Sequence, residues 1–337
     1  MARGDMPGRD LLLERAEDVS QFLAGRLRTM IFRANEDEAD LELRGIPVAD
    51  RRACECLEAG GRNFARGFKR AMLDTRPDRI EQRMADLDHH VRGFGFEGAG
   101  MAMTLLDALA PPRRRLARLL EYDGGRHPEV IHIGVGWAWA RMRRVPPRPP
   151  ERLDPFFGWL AYDGAGFFEA YWNVERAVDE QARPPRLSPP AARIFDQGVG
   201  RCLLFVRGAD LDGVRATIDR FPEERRADLW SGVGVAATYA GGHADERLRR
   251  MAELAGPYAD RLAQGCAFAA MARYHGANLT EDAERAAAIL CGASSATEAA
   301  RRAEELREDL PARAESQLEA WQARLRETFA PAEPVAA

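Results

Sequence analysis

Lysine is almost absent from this chain: Lys69 is the only one among 49 basic residues, and 53 acids bring the formal charge to -4. The bases are scattered and outnumbered, so the electrostatic footprint of a nucleic-acid binder is missing and nucleic acid is excluded as a partner. The arginine excess accompanies plentiful alanine and reflects a GC-rich genome rather than a functional demand. Five cysteines, Cys54, Cys56, Cys202, Cys266 and Cys291, make an odd number without C-x-x-C spacing. That excludes a disulfide framework and a zinc knuckle and leaves buried thiols. No Gly-x-Ser-x-Gly elbow and no Ser-His-Asp set occurs, which disfavours a familiar hydrolase. The longest apolar run, around "VIHIGVGWAWA", falls short of the roughly 20 residues of a spanning helix. The amino terminus, "MARGDMPGRDLLLERAEDVSQF", carries charge on both sides of its leucines and lacks a signal peptide's apolar stretch. The expected location is the cytoplasm.

What the chain does have is length and a repeat. With 337 residues, 46% of them hydrophobic and 30% charged, it can bury a large core. Gly98, Gly134, Gly164, Gly198 and Gly232 each open a Gly-Ala-Gly or Gly-Val-Gly followed by an apolar run, and a degenerate sixth copy begins at Gly265 as "GCAFAAMARYHG". Successive intervals of 36, 30, 34, 34 and 33 residues fall in the range of helical-hairpin repeats. Between the copies lie segments such as "LDGVRATIDRF" and "DERLRRMAELAG", whose apolar positions recur at three and four. Pro-rich stretches at 145 to 155 and 182 to 190 cannot continue a helix and mark loops.

The fold expected is therefore all-α, with about six helical-hairpin units of roughly 33 residues forming a solenoid or a closed α/α arrangement. Its parts are an amino-terminal helical cap at 1–37, the repeat domain at 38–292, polar helices at 293–329 capped by Ser294 or Ser295, and a disordered tail at 330–337. Residues 10 to 34 read as a helix and 38 to 48 as an extended lead-in. Each Gly-x-Gly is placed near a helix start, where the missing β-carbons let a neighbouring helix approach. A phosphate cradle is the weaker reading, because no copy carries a P-loop lysine or a dinucleotide fingerprint. The runs "VIHIGV" and "CLLFV" could instead be short buried strands.

Acids precede several of these glycines: Glu97, Asp163 and, two residues ahead of Gly198, Asp196. They read either as helix caps or as carboxylates gathered at a cavity, where burial would raise a pKa and make a proton donor or base. The acid-x-x-His spacings Asp86/His89 and Glu129/His132 are half of a di-iron pattern, but Pro128 interrupts the second and no further ligands are identifiable. No metal and no cofactor is assigned. Aromatics cluster beside the glycine turns, and Phe96, Trp137, Trp139, Phe167, Tyr171 and Trp172 are the candidates for lining an apolar tunnel suited to a long unsaturated ligand.

The segments "RGFGFEGAGMAM", "GVGWAWARM", "LDPFFGWLAYDGAGFFEAYW", "FDQGVGRCLLFVRGAD" and "FPEERRADLWSGVGVAATYAGG", spread over roughly residues 40 to 292, resemble the UnbL-type enediyne-biosynthesis proteins, a bacterial domain family of unknown function. The resemblance implies a natural-product protein encoded near an iterative polyketide synthase, helping to convert a linear polyene into an enediyne core. It assigns no catalytic residue. Two readings follow. One is a protein, enzymatic or part of an enzyme, that acts on or binds a hydrophobic polyene in an aromatic-lined helical cavity, with Glu97, Asp163 and Asp196 supplying acid/base charge. The alternative is a non-catalytic helical-repeat scaffold that docks the polyketide synthase or tailoring enzymes.

Overall fold

The computed structural model describes residues 20 to 331, apart from 22, 33, 112, 124 and 312 to 315. The fold is all-α, with no strand among the described residues. After helical residues at 20–21 and 23–31 and a 3-10 turn at Glu36–Ala39 come α1 (Arg51–Leu73), α2 (Pro77–Met84), α3 (Arg92–Leu109), α4 (Arg115–Asp123), α5 (Pro128–Arg141), α6 (Leu160–Trp172) and α7 (Pro189–Val206). They are followed by α8 (Leu211–Asp219), α9 (Glu223–Ala240), α10 (Asp245–Ala255), α11 (Ala259–His275), α12 (Glu281–Leu290), α13 (Ala296–Glu305) and α14 (Gln317–Thr328). No described helix is long and apolar enough to cross a membrane.

Two kinds of helix alternate over much of the chain. The short ones are amphipathic: α8 buries Leu211, Val214, Thr217 and Ile218, and α10 buries Leu248, Met251, Leu254 and Ala255, spacings of three and four that make one apolar stripe. The glycine-bearing ones are buried nearly all round, as α5 is from Glu129 to Ala140. Local chemistry sets their ends. Asp50 caps α1 by accepting from the Ala53 amide at 2.9 Å, and Thr280, Ser295 and Ser316 cap α12, α13 and α14. Proline occupies the first turn of α2, α5 and α7, where its missing N–H costs nothing.

The sequence expectation that the glycines lead these helices is overturned, because they sit in the interiors: Gly98 and Gly100 fall midway along α3, and Gly198 and Gly200 midway along α7. The buried helices pack in chain order, α1 on α3, then α5, α6, α7, α9 and α11, and α9 also touches α1. In each Gly-x-Gly the first glycine meets the helix before and the second the helix after. A β-carbon on Gly164 would overlap the Ile133 carbonyl of α5, and one on Gly166 the Phe195 carbonyl of α7. The same pairing holds at Gly98/Gly100, Gly134/Gly136, Gly198/Gly200 and Gly232/Gly234, and Gly265 meets Ser231. This accounts for the motif by backbone-to-backbone packing and accommodates the repeat reading.

Other local expectations are overturned. "VIHIGV" and "CLLFV" lie within α5 and α7, continuous helices of 14 and 18 residues, so the strand alternative fails. Residues 38 to 48 are not an extended segment but the end of the 3-10 turn, a further turn at 41 to 45 and a short irregular stretch. Pro128 interrupts nothing, since α5 starts there and carries both Glu129 and His132. The amino-terminal part of the proposed 10–34 helix and residues 332 to 337 of the proposed tail lie outside the described residues.

Candidate functional site

Helices α1, α3, α5, α6, α7 and α9 surround a cavity with about 890 Å³ of empty space, part of it open to solvent. Its wall follows from the repeat. Three residues after the first glycine stand Met101, Trp137, Phe167 and Arg201, and seven after it Arg141, Tyr171, Phe205 and Tyr239; all of them line the cavity. Three and seven are positions on one face of a helix, so helices that cross at equivalent glycines present equivalent side chains to the enclosed space. Phe64, Phe68, Phe94 and Phe168 complete an aromatic surround. Trp137 is its hub, with ring centroids 4.4 Å from Phe64, 5.2 Å from Phe167 and 5.7 Å from Phe168. One part of the wall is formed by Ala34, Asn35, Glu38 and Ala39, which precede α1. That segment is tied down by Tyr171, whose hydroxyl donates to the Glu38 carbonyl at 2.8 Å, and by Arg44, which stacks 3.7 Å over the Tyr171 ring and donates to its carbonyl at 2.6 Å.

The polar part of the cavity is one buried cluster. Arg201 Nε stands 2.8 Å from Asp163 Oδ1, and Arg201 Nη2 stands 3.5 Å from Glu97 Oε1. Trp137 Nε1 donates to Glu97 Oε1 at 2.9 Å and Gln197 Nε2 to Asp163 Oδ2 at 2.9 Å. The two ion pairs are close but not aligned: Arg201 Nε, Arg201 Nη2 and Asp163 Oδ1 are buried without an aligned hydrogen bond. Burial pushes the Glu97 carboxyl above its ordinary range, against the pull of Arg201, and the Asp163 charge adds to the rise. Burial pushes Asp163 the same way, again opposed by Arg201. Desolvation would lower Arg201, but the two carboxylates outweigh it and hold the guanidinium charged. Two carboxylates share one cation, and one proton among them removes the uncompensated charge.

Of the sequence candidates, Glu97, Trp137, Phe167, Tyr171 and Trp172 line the cavity, and Asp163 adjoins it through Arg201. Three lie elsewhere. Asp196 is fully buried between Arg183 and Arg225, both of which engage both of its oxygens, and it ties α9 and the loop before α7 to α7. Phe96 stacks 4.0 Å from His127, which is itself held by Asp123 at 2.8 Å, and Trp139 packs against Tyr162. Glu97 and Asp196 are in helix interiors and cap nothing. The acid-x-x-His spacings serve other contacts. His132 Nδ1 bonds the Pro128 carbonyl at 2.7 Å, Glu129 Oε1 pairs with His275 at 2.7 Å, and His89 is exposed. Arg201 is the residue that sequence reasoning missed. Its signal was register: in copies that place Met101, Trp137 and Phe167 three after the first glycine, it alone puts a charge there.

No curated protein and no solved structure matches this chain. A family model described as "Protein of unknown function (DUF1702)" matches residues 23–329. The chain, with its glycine-crossed helices and its carboxylate–guanidinium cluster in an aromatic cavity, belongs to the DUF1702 family.

Proposed function

We propose that this protein binds a linear hydrophobic polyene in the aromatic cavity, as an intermediate of enediyne-type polyketide biosynthesis in the bacterial cytoplasm, and that Glu97, backed by Asp163 and Arg201, supplies acid/base charge to it. The observation that carries the reading is the composition of the wall: rings from α1, α3, α5, α6, α7 and α9 face one space whose polar side chains include a buried acid held against a cation. Stacked rings offer flat, polarisable contact to a conjugated chain, and a raised carboxyl beside them is suited to protonating or deprotonating it. Asp196, consumed by two arginines, serves α7 and α9 rather than the ligand. The pathway assignment rests on the sequence resemblance. A docking scaffold would instead present its aromatics outward, and among the described cavity rings only Trp172 is substantially exposed.

The test is titration with a synthetic conjugated hydrocarbon polyene, followed by quenching of tryptophan fluorescence and a red shift of polyene absorption. Wild type should bind, and Ala236→Phe, which fills the cavity from α9, should lose binding while keeping its helical circular dichroism. Co-expression with an enediyne-type polyketide synthase then asks whether the polyene product changes, and whether Glu97→Gln abolishes the change. Equal binding by the filled variant would remove the cavity as the site.

A further inference from the structure

A chain of buried polar side chains runs from the carboxyl-terminal helix to the cavity, and it uses one repeat position. The residues immediately before the first glycines are Glu97, Asp163, Gln197, Ser231 and Gln264, with Ile133 the exception. Arg326 of α14 donates to Gln264 Oε1 at 2.7 Å, Gln264 Nε2 donates to Ser231 Oγ at 2.9 Å, and Ser231 Oγ donates to Gln197 Oε1 at 3.1 Å. Gln322 Nε2 donates to the same Gln197 oxygen at 2.9 Å, and Gln197 Nε2 passes the chain on to Asp163 Oδ2.

The polarity of this chain is set at its far end. A guanidinium only donates, so Gln264 must turn its oxygen to Arg326 and its amide nitrogen to Ser231. Ser231, having accepted, donates to Gln197, and Gln197 therefore presents N–H to Asp163. Asp163 Oδ1 faces Arg201 Nε at the same time. Asp163, 2.8 Å from the Arg201 guanidinium against 3.5 Å for Glu97, is the carboxylate that balances Arg201. Glu97 differs. Among the described residues its donors, Trp137 and Arg201, both approach Oε1, which leaves Oε2 able to carry the proton that the buried cluster requires. The charged or titratable groups around Glu97 are Arg201 of α7, Asp163 of α6 and Tyr239 of α9. With Glu97 protonated the cluster is an Arg201–Asp163 pair plus a neutral acid: no net positive charge, but hydrogen-bond donors left over, because Arg201 Nη2 and Nε lack aligned partners.

We propose that this cluster takes the uncharged oxygen-bearing end, carbonyl or hydroxyl, of an apolar chain and turns away the carboxylate of the same chain. The oxygen accepts from Arg201 and from the Glu97 carboxyl, satisfying donors otherwise stranded in a buried site, whereas a carboxylate would bring an uncompensated negative charge beside the already balanced Arg201–Asp163 pair. Gln197 is a positioning residue here, acting through Asp163. The inference rests on the reading of the cavity as a site for apolar chains and adds the chemistry of the end that enters first.

The probes are cis-parinaric acid, a fluorescent conjugated tetraene carboxylic acid, and the alcohol made by reducing it, each titrated at pH 8, where the free acid is ionised. Both titrations use Arg141→Gln, so that the exposed arginine at the cavity wall cannot hold a carboxylate with the chain reversed, and are repeated in wild type. The alcohol should bind at least about tenfold more tightly than the acid, because an unpaired charge in a buried site is costly. Glu97→Gln, which carries the neutral form permanently, should keep that preference. Equal or tighter binding of the acid in Arg141→Gln overturns the proposal, as does a Glu97→Gln variant that binds the acid as well as the alcohol. Binding of neither probe defeats the apolar-chain reading itself, and the head-group inference with it.

Discussion

Replacing Gly164 with alanine should destabilise this protein, although the same change at an ordinary helical glycine does the opposite. Alanine is favoured over glycine in a helix interior by about 1 kcal/mol. At Gly164 the added methyl would lie well inside 3.0 Å of the Ile133 carbonyl oxygen, with backbone rather than a flexible side chain as the obstacle. Relief requires α5 and α6 to separate, and each is pinned on its other side by the next crossing, at Gly134 and Gly166. Overpacking of a dense interior costs about 1–3 kcal/mol and more where backbone must move, so the net loss expected is about 2 kcal/mol or greater. With a urea dependence of about 3 kcal/mol per molar, that lowers the denaturation midpoint by about 0.7 M. Gly213, in the first turn of α8, is the control: what an added methyl meets there is the side chain of exposed Asp210, which can swing into solvent. Gly213→Ala should leave the midpoint unchanged or raise it. Far-ultraviolet circular dichroism during urea unfolding reads both. If Gly164→Ala unfolds at the wild-type midpoint, the helices do not cross backbone to backbone and the account of the repeat is wrong.

Two histidines should shape the pH dependence of stability in opposite directions. His275 joins three helices, pairing with Glu129 of α5 at 2.7 Å and Glu304 of α13 at 3.2 Å; burial disfavours its charge, but the bonds to Glu129 and Glu304 outweigh that and raise it to about 9. A raised histidine contributes stability fully below its unfolded pKa of roughly 6.5 and loses it as pH climbs through the folded value. About 2 kcal/mol, after allowance for solvent screening on the exposed Glu304 side, should therefore disappear between pH 6.5 and 9. His275→Gln should flatten that limb of the profile, measured as urea midpoints across the pH range. His243 runs the other way. Burial, reinforced by Arg247, lowers it to about 4, and neither ring nitrogen has a hydrogen-bond partner among the described residues. Stability should fall as pH drops from about 6.5 toward 4, because the unfolded chain takes up the proton first. His243→Phe should remove that slope, and an unchanged acid limb would show that the ring gains a partner when protonated.

The period of the glycines, the amphipathic spacing of helices such as α8 and α10 and the unbroken apolarity of α5 were legible in the sequence, because each depends on residues a few positions apart. Helix class and the crowding of aromatics beside the crossings followed from them. Where the glycines fall within a helix was not legible: Gly198 looks like a helix start only until the residues ahead of it, from Pro189 to Gln197, are seen to be helical with it.

What the tertiary structure alone decided is which acids meet. Glu97, Asp163 and Asp196 look alike in sequence, each an acid one or two residues before a glycine. In the fold, Glu97 faces the cavity, Asp163 stands behind Arg201, and Asp196 is taken by Arg183 and Arg225. Arg183 lies in a loop and Arg225 at the start of α9, so no local spacing announces the pairing. The sequence by itself determined the helices, their period and the residues that can cross without a β-carbon, because those follow from short-range sterics and apolar spacing. Only the packing of α3, α6 and α7 around one space decided that a single arginine is shared by two carboxylates, because a charge pair depends on distance in space and not on separation along the chain.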